Sequence, residues 1–287
     1  MKKIKSLLFL TIILFAACQN EPIADNSAEA KRIISLSGFL TEVLFDLGYG
    51  EQIVGTDITS AYPSETDSIP KLGHISQLNA EAILALKPDY IFVEKSQVNQ
   101  TEVFAQLKNA GIKIIPITTS RHFNNAVNAA NQLKNNLDIE EEQIEAMAKK
   151  IETDSLKLIE ILSNTTKKPK VLFIYARGAG NLSVSGTGTA AEAIIQKTGG
   201  QNAITSFENF KPLTPEALIE SGPDVILMFS SGLASLDGKA GLVQIKGIPQ
   251  TPAYKNNRII AMDGHELTSF GPRVGETAIM LAKKLQE

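Results

Sequence analysis

The feature that most narrows what this chain can fold into is a repeat within its own sequence. Residues 80–93 (AEAILALKPDYIFV) and 215–228 (PEALIESGPDVILM) align without a gap and share Glu, Ala, Pro, Asp and Ile at matching places. Each copy reads as a short helix, a turn at Pro-Asp and a buried apolar strand. Two copies of one supersecondary unit predict a duplicated chain, with two related lobes.

The flanking pattern agrees. Apolar, β-rich runs at 32–36, 52–54, 90–93 and 112–117 alternate with helical patterns at 41–47 and 80–86. The same order returns with strands at 170–175, 224–229 and 258–262 and helices at 190–197 and 215–220. Strands alternating with helices imply mostly parallel sheets covered on both faces. Between the halves, 138–162 contains neither Gly nor Pro and sets Ile144, Met147, Ile151, Leu158 and Leu162 at helical spacing. At ~1.5 Å per residue, that helix reaches on the order of 37 Å, enough to run across two lobes packed side by side. The expected fold is α/β: two Rossmann-like lobes with mostly parallel sheets, at 31–120 and 167–287, joined through a helical connector at 121–166 that holds one long α-helix. A single stiff connection allows only small lobe movement.

A chain of 287 residues that is 43% hydrophobic has enough apolar material for two cores. Its 28 basic and 31 acidic side chains nearly balance, and no segment clusters Lys and Arg densely enough to follow a phosphate backbone, which argues against nucleic acid as a partner. The first 17 residues read as an export signal, with Lys2, Lys3 and Lys5 before an apolar run from Leu7 to Ala17. That run is about half the ~20 residues needed to span a bilayer. Ala16, Ala17 and Cys18 resemble a bacterial lipobox, which makes Cys18 the lipidated N-terminus of an exported, membrane-anchored protein. Cys18 is the only cysteine, so it has no partner within the chain. Residues 18–30 are polar and read as a flexible tether.

No catalytic constellation stands out: the chain has no GxSxG, no HExxH and no GK[ST]. The expectation is that it is not an enzyme. An exported hydrolase would need Ser183 or Ser185 as nucleophile with His265 as base, and no motif positions that pair. The glycines of RGAGNLSVSGTGT (177–189) do not have GxGxxG spacing and read as a loop leading into a helix capped near Thr187 or Thr189. The three histidines, His74, His122 and His265, are scattered, so only the fold could assemble a divalent-metal site from them with carboxylates such as Glu94 or Asp263. His74 is the best placed, in a loop just before the helix near Asn79, because sheets of this kind bind ligands in loops at strand carboxyl ends.

Five stretches then carry a family resemblance: 32–63, 72–91, 185–203, 210–228 and FGPR at 270–273. Together they resemble the haem-binding branch of the periplasmic binding proteins that serve ABC importers, relatives of cobalamin and siderophore binders. The resemblance implies haem as the transported ligand, held between the lobes and passed to a permease by a monomeric receptor facing the periplasm. Ferric siderophore or cobalamin is the alternative cargo. In that branch a Gly-Tyr-x-Arg motif supplies the iron ligand and a propionate-binding arginine. Here His74 takes the ligand position and Ser76 replaces the arginine, so Arg121, Arg177 or Arg273 must supply the cation. Tyr175 falls where a second iron ligand occurs. Ser37, Gly38, Thr41 and Tyr62 are expected to line the cleft. Glu81 and Glu216, equivalent in the repeat, match the family's permease-docking glutamates.

Overall fold

A computed structural model describes residues 30–287. The expected signal peptide at 1–17, the lipidation site Cys18 and the tether up to residue 29 lie outside the described residues.

The first lobe is built on a four-stranded parallel sheet of β1 (Ile33–Ser35), β2 (Ile53–Thr56), β3 (Tyr90–Glu94) and β4 (Lys113–Ile117), in the order β2-β1-β3-β4. Along β3, Tyr90 and Phe92 enter one core and Ile91 and Val93 enter the other. A strand buried on both faces needs apolar residues at consecutive positions, which is why the run reads as continuous instead of alternating. Helices α1 (Gly38–Asp46) and α4 (Asn125–Leu133) contribute to the first of these cores, and α2 (Ala80–Ala85) and α3 (Val103–Asn109) to the second.

The connector is α5 (Glu141–Ser163). Its start is fixed by the Glu140 N–H donating to Gln143 Oε1 (2.9 Å), while Gln143 Nε2 donates to the Leu47 carbonyl at the end of α1 (2.8 Å). The apolar stripe predicted from spacing is shared between two cores. Ile144, Met147 and Ile151 belong to the first lobe, and Leu158 belongs to the second, with Ile161 and Leu162 packed against it.

The second lobe's six-stranded sheet comprises β5 (Lys170–Ala176), β6 (Leu182–Ser185), β7 (Gln201–Asn202), β8 (Phe210–Pro212), β9 (Val225–Phe229) and β10 (Ile259–Met262). The order is β10-β9-β5-β6-β8, with β7 pairing beside β5. Strands β10, β9, β5 and β7 pair in parallel, whereas β6 and β8 run antiparallel to their neighbours. The stretch 177–189 is thus more than a loop. Four of its residues form β6, which folds back on β5 with Tyr175 opposite Ser183. Flanking glycines hide so short a strand from a reading based on periodicity. The helix that follows, α6 (Ala190–Lys197), is capped by Thr189, whose hydroxyl accepts the Glu192 N–H at 3.0 Å. Helices α7 (Pro215–Ser221), α8 (Ser230–Ala234), α9 (Lys239–Leu242), α10 (Pro252–Lys255), α11 (Gly264–Thr268) and α12 (Val274–Gln286) complete the lobe.

The repeat holds down to single hydrogen bonds. Asn79 and Thr214 cap α2 and α7 by accepting the N–H groups of Ala82 and Ala217 at 3.0 and 3.1 Å. Asp89 and Asp224 each accept a backbone N–H at the start of the adjacent strand at 2.9 Å, from Arg32 just before β1 and from Lys170, the first residue of β5. The helix-to-strand turn needs a left-handed residue, filled by Lys87 (φ 47°) in one copy and Gly222 (φ 48°) in the other.

Candidate functional site

Loops at the carboxyl ends of the parallel strands converge between the lobes on a cavity of about 640 Å³. The first lobe supplies Ser37 and Gly38 after β1, Thr59 after β2, Glu94, Ser96 and Gln97 at and after the end of β3, and Thr119 to Arg121 after β4; the second supplies Ala190, His265, Thr268 and Ser269. Glu94 accepts hydrogen bonds from Ser37 Oγ (2.5 Å) and Thr119 Oγ1 (3.2 Å). Gln97 Oε1 and Ser120 Oγ are buried and have no partner among the described residues. Such groups are unfavourable unless something meets them, and both lie in the wall of this cavity.

A second cavity of about 450 Å³ shares Ala190 and Thr268 with the first and is otherwise lined by Phe173, Tyr175, Ser183, Ala191, Phe210 and Phe229. Its rings meet edge to face: Phe173 and Phe229 have centroids 4.9 Å apart at 68°, and Tyr175 and Phe229 5.8 Å apart at 88°. The cleft therefore has one hydroxyl-rich chamber and one aromatic chamber, joined along the start of α6 and the end of α11.

Beside the polar chamber, Glu42 of α1 crosses from the first lobe to the second. Its carboxylate takes Arg273 Nε at 2.9 Å and Arg273 Nη2 at 3.1 Å, and lies 3.1 Å from His265 Nε2. Burial pushes the Glu42 pKa up, but hydrogen bonds from His265 and Arg273 outweigh it and hold the group below the usual carboxylate value. The Arg273 guanidinium also stacks 3.5 Å from the centre of the Tyr62 ring.

The candidate residues fall into distinct groups on this frame. Ser37, Gly38 and Arg121 line the polar chamber, and Arg121 Nη1 additionally donates to the Gly188 carbonyl across the lobes. Tyr175 lines the aromatic chamber, and its hydroxyl accepts Arg177 Nε at 2.6 Å, so Arg177 stands at that chamber's edge. His74 is exposed on the first lobe and lines neither chamber. Its Nδ1 pairs with Ser76 Oγ at 3.0 Å. Its loop joins the cleft wall through the Ile58 N–H, which donates to the Gly73 carbonyl at 3.2 Å, one residue before Thr59.

Three expectations need correction. Thr41 is fully buried, hydrogen-bonded at 2.8 Å to both Ser35 Oγ and Ser60 Oγ, so a ligand cannot reach it. The first turn of α1 points it inward beneath Ser37. Arg273 is not a free cation for a propionate, because a buried carboxylate holds it in place, and Tyr62 covers its face instead of lining a chamber. The described residues gather no group of three or more His, Cys, Asp or Glu able to hold an ion. His122 is exposed next to Arg121 and is not among the residues lining either chamber. Ser185 is buried against Thr189 Oγ1 at 2.5 Å, and Ser183 lies in the aromatic chamber rather than beside His265.

Sequence reasoning missed Phe210 and Phe229. Each ends or begins a strand and looks like ordinary core, and only the pairing of β8 with β6 brings Phe210 over the mouth of β5. Gln97 and Ser120 carried no motif at all. Glu42 could have been suspected, as a charge in the middle of the largely apolar helix GFLTEVLFD. Glu81 and Glu216 are both exposed in the first turns of their helices. No helix among the described residues is long and apolar enough to cross a membrane.

Comparison with known proteins gives a consistent set of similarities. Residues 33–265 match the family model described as periplasmic binding protein. The periplasmic heme-binding protein RhuT from Roseiflexus sp. RS-1, in its apo form, superposes with a TM-score of 0.84 at 33% identity, covering 90% of this chain and 98% of that one. An uncharacterized ABC transporter substrate-binding lipoprotein of Bacillus subtilis, YvrC, is 26% identical across 90% of this chain and 80% of its own length. The vitamin B12-binding protein of Vibrio parahaemolyticus is also 26% identical, across 88% of this chain and 86% of its own.

Proposed function

Because the chain belongs to the periplasmic binding protein family, we propose that this substrate-binding protein of an ABC importer captures haem in its interlobe cleft and delivers it to a membrane permease. The observation that carries this reading is the junction of the aromatic chamber with the polar one. A porphyrin is a flat apolar disc with two carboxylates on one edge, and a wall of Phe173, Tyr175, Phe210 and Phe229 continuing into hydroxyls and Arg121 offers each part a matching surface. His74 and Tyr175 are the proposed iron ligands, one from each lobe. The imidazole and the phenolate are both established haem-iron ligands in proteins. The exposure of His74 leaves it free to turn towards an arriving ligand, with Arg121 and Arg177 as the cations that meet the propionates. The receptor acts as a monomer, tethered to the envelope through lipidated Cys18, with Glu81 and Glu216 as its docking charges.

Titration of the purified protein with hemin tests the reading. The expected result is a saturable, intense Soret band whose position shifts in His74→Ala and in Tyr175→Phe. Saturation with no spectral effect of either substitution would remove both residues as ligands. Absence of any saturable band would remove haem.

A second reading is favoured by the polar chamber. Gln97 Oε1, Ser120 Oγ and the Glu94 carboxylate are acceptors, and a corrinoid carries amide N–H donors around its rim where haem has carboxylates. Equilibrium dialysis against cyanocobalamin, run beside the hemin titration, separates the two cargoes.

A further inference from the structure

The helices of the internal repeat share more than their glutamates. At equivalent places in the two copies the buried face is held by Ile83 and Leu218, both fully inaccessible, and the outer face carries Leu84 and Ile219. These last two are large apolar side chains left 38% and 56% exposed. Each lies three residues after its lobe's glutamate, and residues three apart in a helix share a face. Both lobes therefore present one device to the outside: a carboxylate in the first helical turn with an aliphatic side chain beside it. Neither Glu81 nor Glu216 forms an ion pair among the described residues.

We infer that Leu84 and Ile219 are the apolar anchors of a two-point docking surface for the ABC permease, each entering a small apolar socket that lies next to a cation paired with Glu81 or Glu216. This rests on the reading of the chain as a transport receptor but not on which cargo it carries. Isolated exposed aliphatic residues are ordinary on protein surfaces. What marks these two is that they recur at the same repeat position on separate lobes, which a partner made of two similar halves can meet twice. Division of labour follows from the physics. The carboxylates steer and orient the encounter, and the desolvated aliphatic groups retard dissociation. Two small contacts instead of one broad apolar face suit a receptor that must leave after each delivery.

The test measures binding of the ligand-free protein to its cognate permease in lipid nanodiscs, so that the outcome does not depend on the cargo. Leu84→Asp and Ile219→Asp are each expected to weaken binding about tenfold or more, mainly through faster dissociation, and Leu84→Met to restore most of it. Leu156→Asp is the control, an equally apolar residue of α5 that is 61% exposed and outside the repeat, and it is expected to bind as the unaltered protein does. Thermal unfolding and the hemin or cyanocobalamin titrations are expected to be unchanged in all four. Unaltered dissociation in Leu84→Asp and Ile219→Asp would overturn the proposal, as would equal weakening in Leu156→Asp. A concentration-dependent dimer of the unaltered chain that Leu84→Asp dissolves would also overturn it, since the patch would then serve a second copy. Failure of both cargo titrations would count against the ligand readings alone.

Discussion

Glu42 is the residue on which the junction between the lobes turns. An acidic side chain buried in an apolar helix is strongly unfavourable alone, and here two groups from the other lobe, Arg273 and His265, satisfy it. Because its folded pKa lies below the ordinary value, this contribution to stability is complete above about pH 4.5 and is lost as pH falls through the lowered folded value. Glu42→Gln is therefore expected to cost about 3 kcal/mol near neutral pH and to flatten the acid limb of the stability profile. Urea midpoints between pH 3 and 7 measure both; a parallel downward offset with the acid limb intact would assign that limb to other carboxylates. His265 lines the polar chamber while bound to Glu42, so the same substitution also frees an imidazole next to the ligand.

At the scale of elements, the contact that matters most is α12 against α5. Gly275 faces Asp154, and a Cβ at position 275 would overlap the Asp154 side chain, so the helices approach as closely as they do only because that position has none. Asp154 itself is buried and held by Lys150 and Lys157, with Lys150 also reaching Glu276 of α12 at 2.8 Å. Gly275→Ala is expected to force the helices apart at a cost of about 1–3 kcal/mol. Since α12 carries Arg273 at its cap, the same variant is expected to bind ligand more weakly, whereas a cleft insensitive to it would mean that the helix pair serves stability alone. The elements also explain what could be read in advance. Strands β1, β3, β5 and β9 announced themselves because burial on both faces demands unbroken apolar runs. Strands β6 and β8 did not, since strands of only three or four residues, one inside the sheet and one at its edge, borrow their order from a neighbour.

For the whole molecule, one stiff helix with its apolar stripe divided between two cores predicts limited closure. Small-angle scattering of the ligand-free and ligand-loaded protein is expected to differ by less than about 1 Å in a radius of gyration of roughly 18 Å. A larger contraction would place a hinge within α5. The contacts from Glu42, Arg121 and Asn125 across the lobes, the last donating to the Phe270 carbonyl at 3.4 Å, oppose wide opening as well. The expectation is therefore that a ligand settles into an existing cleft more than it closes a new one.

Periodicity and the repeat by themselves determined the α/β class, the two sheets, the spanning helix and the equivalence of Glu81 with Glu216, because those depend on local patterns that burial imposes on every strand and helix. Only the tertiary structure decided which side chains face the ligand. Thr41 and Ser37 are four residues apart on one turn, yet one is sealed beneath the sheet and the other lines the chamber. Arg273 looked free until Glu42, far away in sequence, was brought against it. The aromatic wall exists because β6 and β8 fold back to carry Phe210 beside Tyr175. Contacts between residues distant along the chain set accessibility and charge pairing, and no local pattern encodes them.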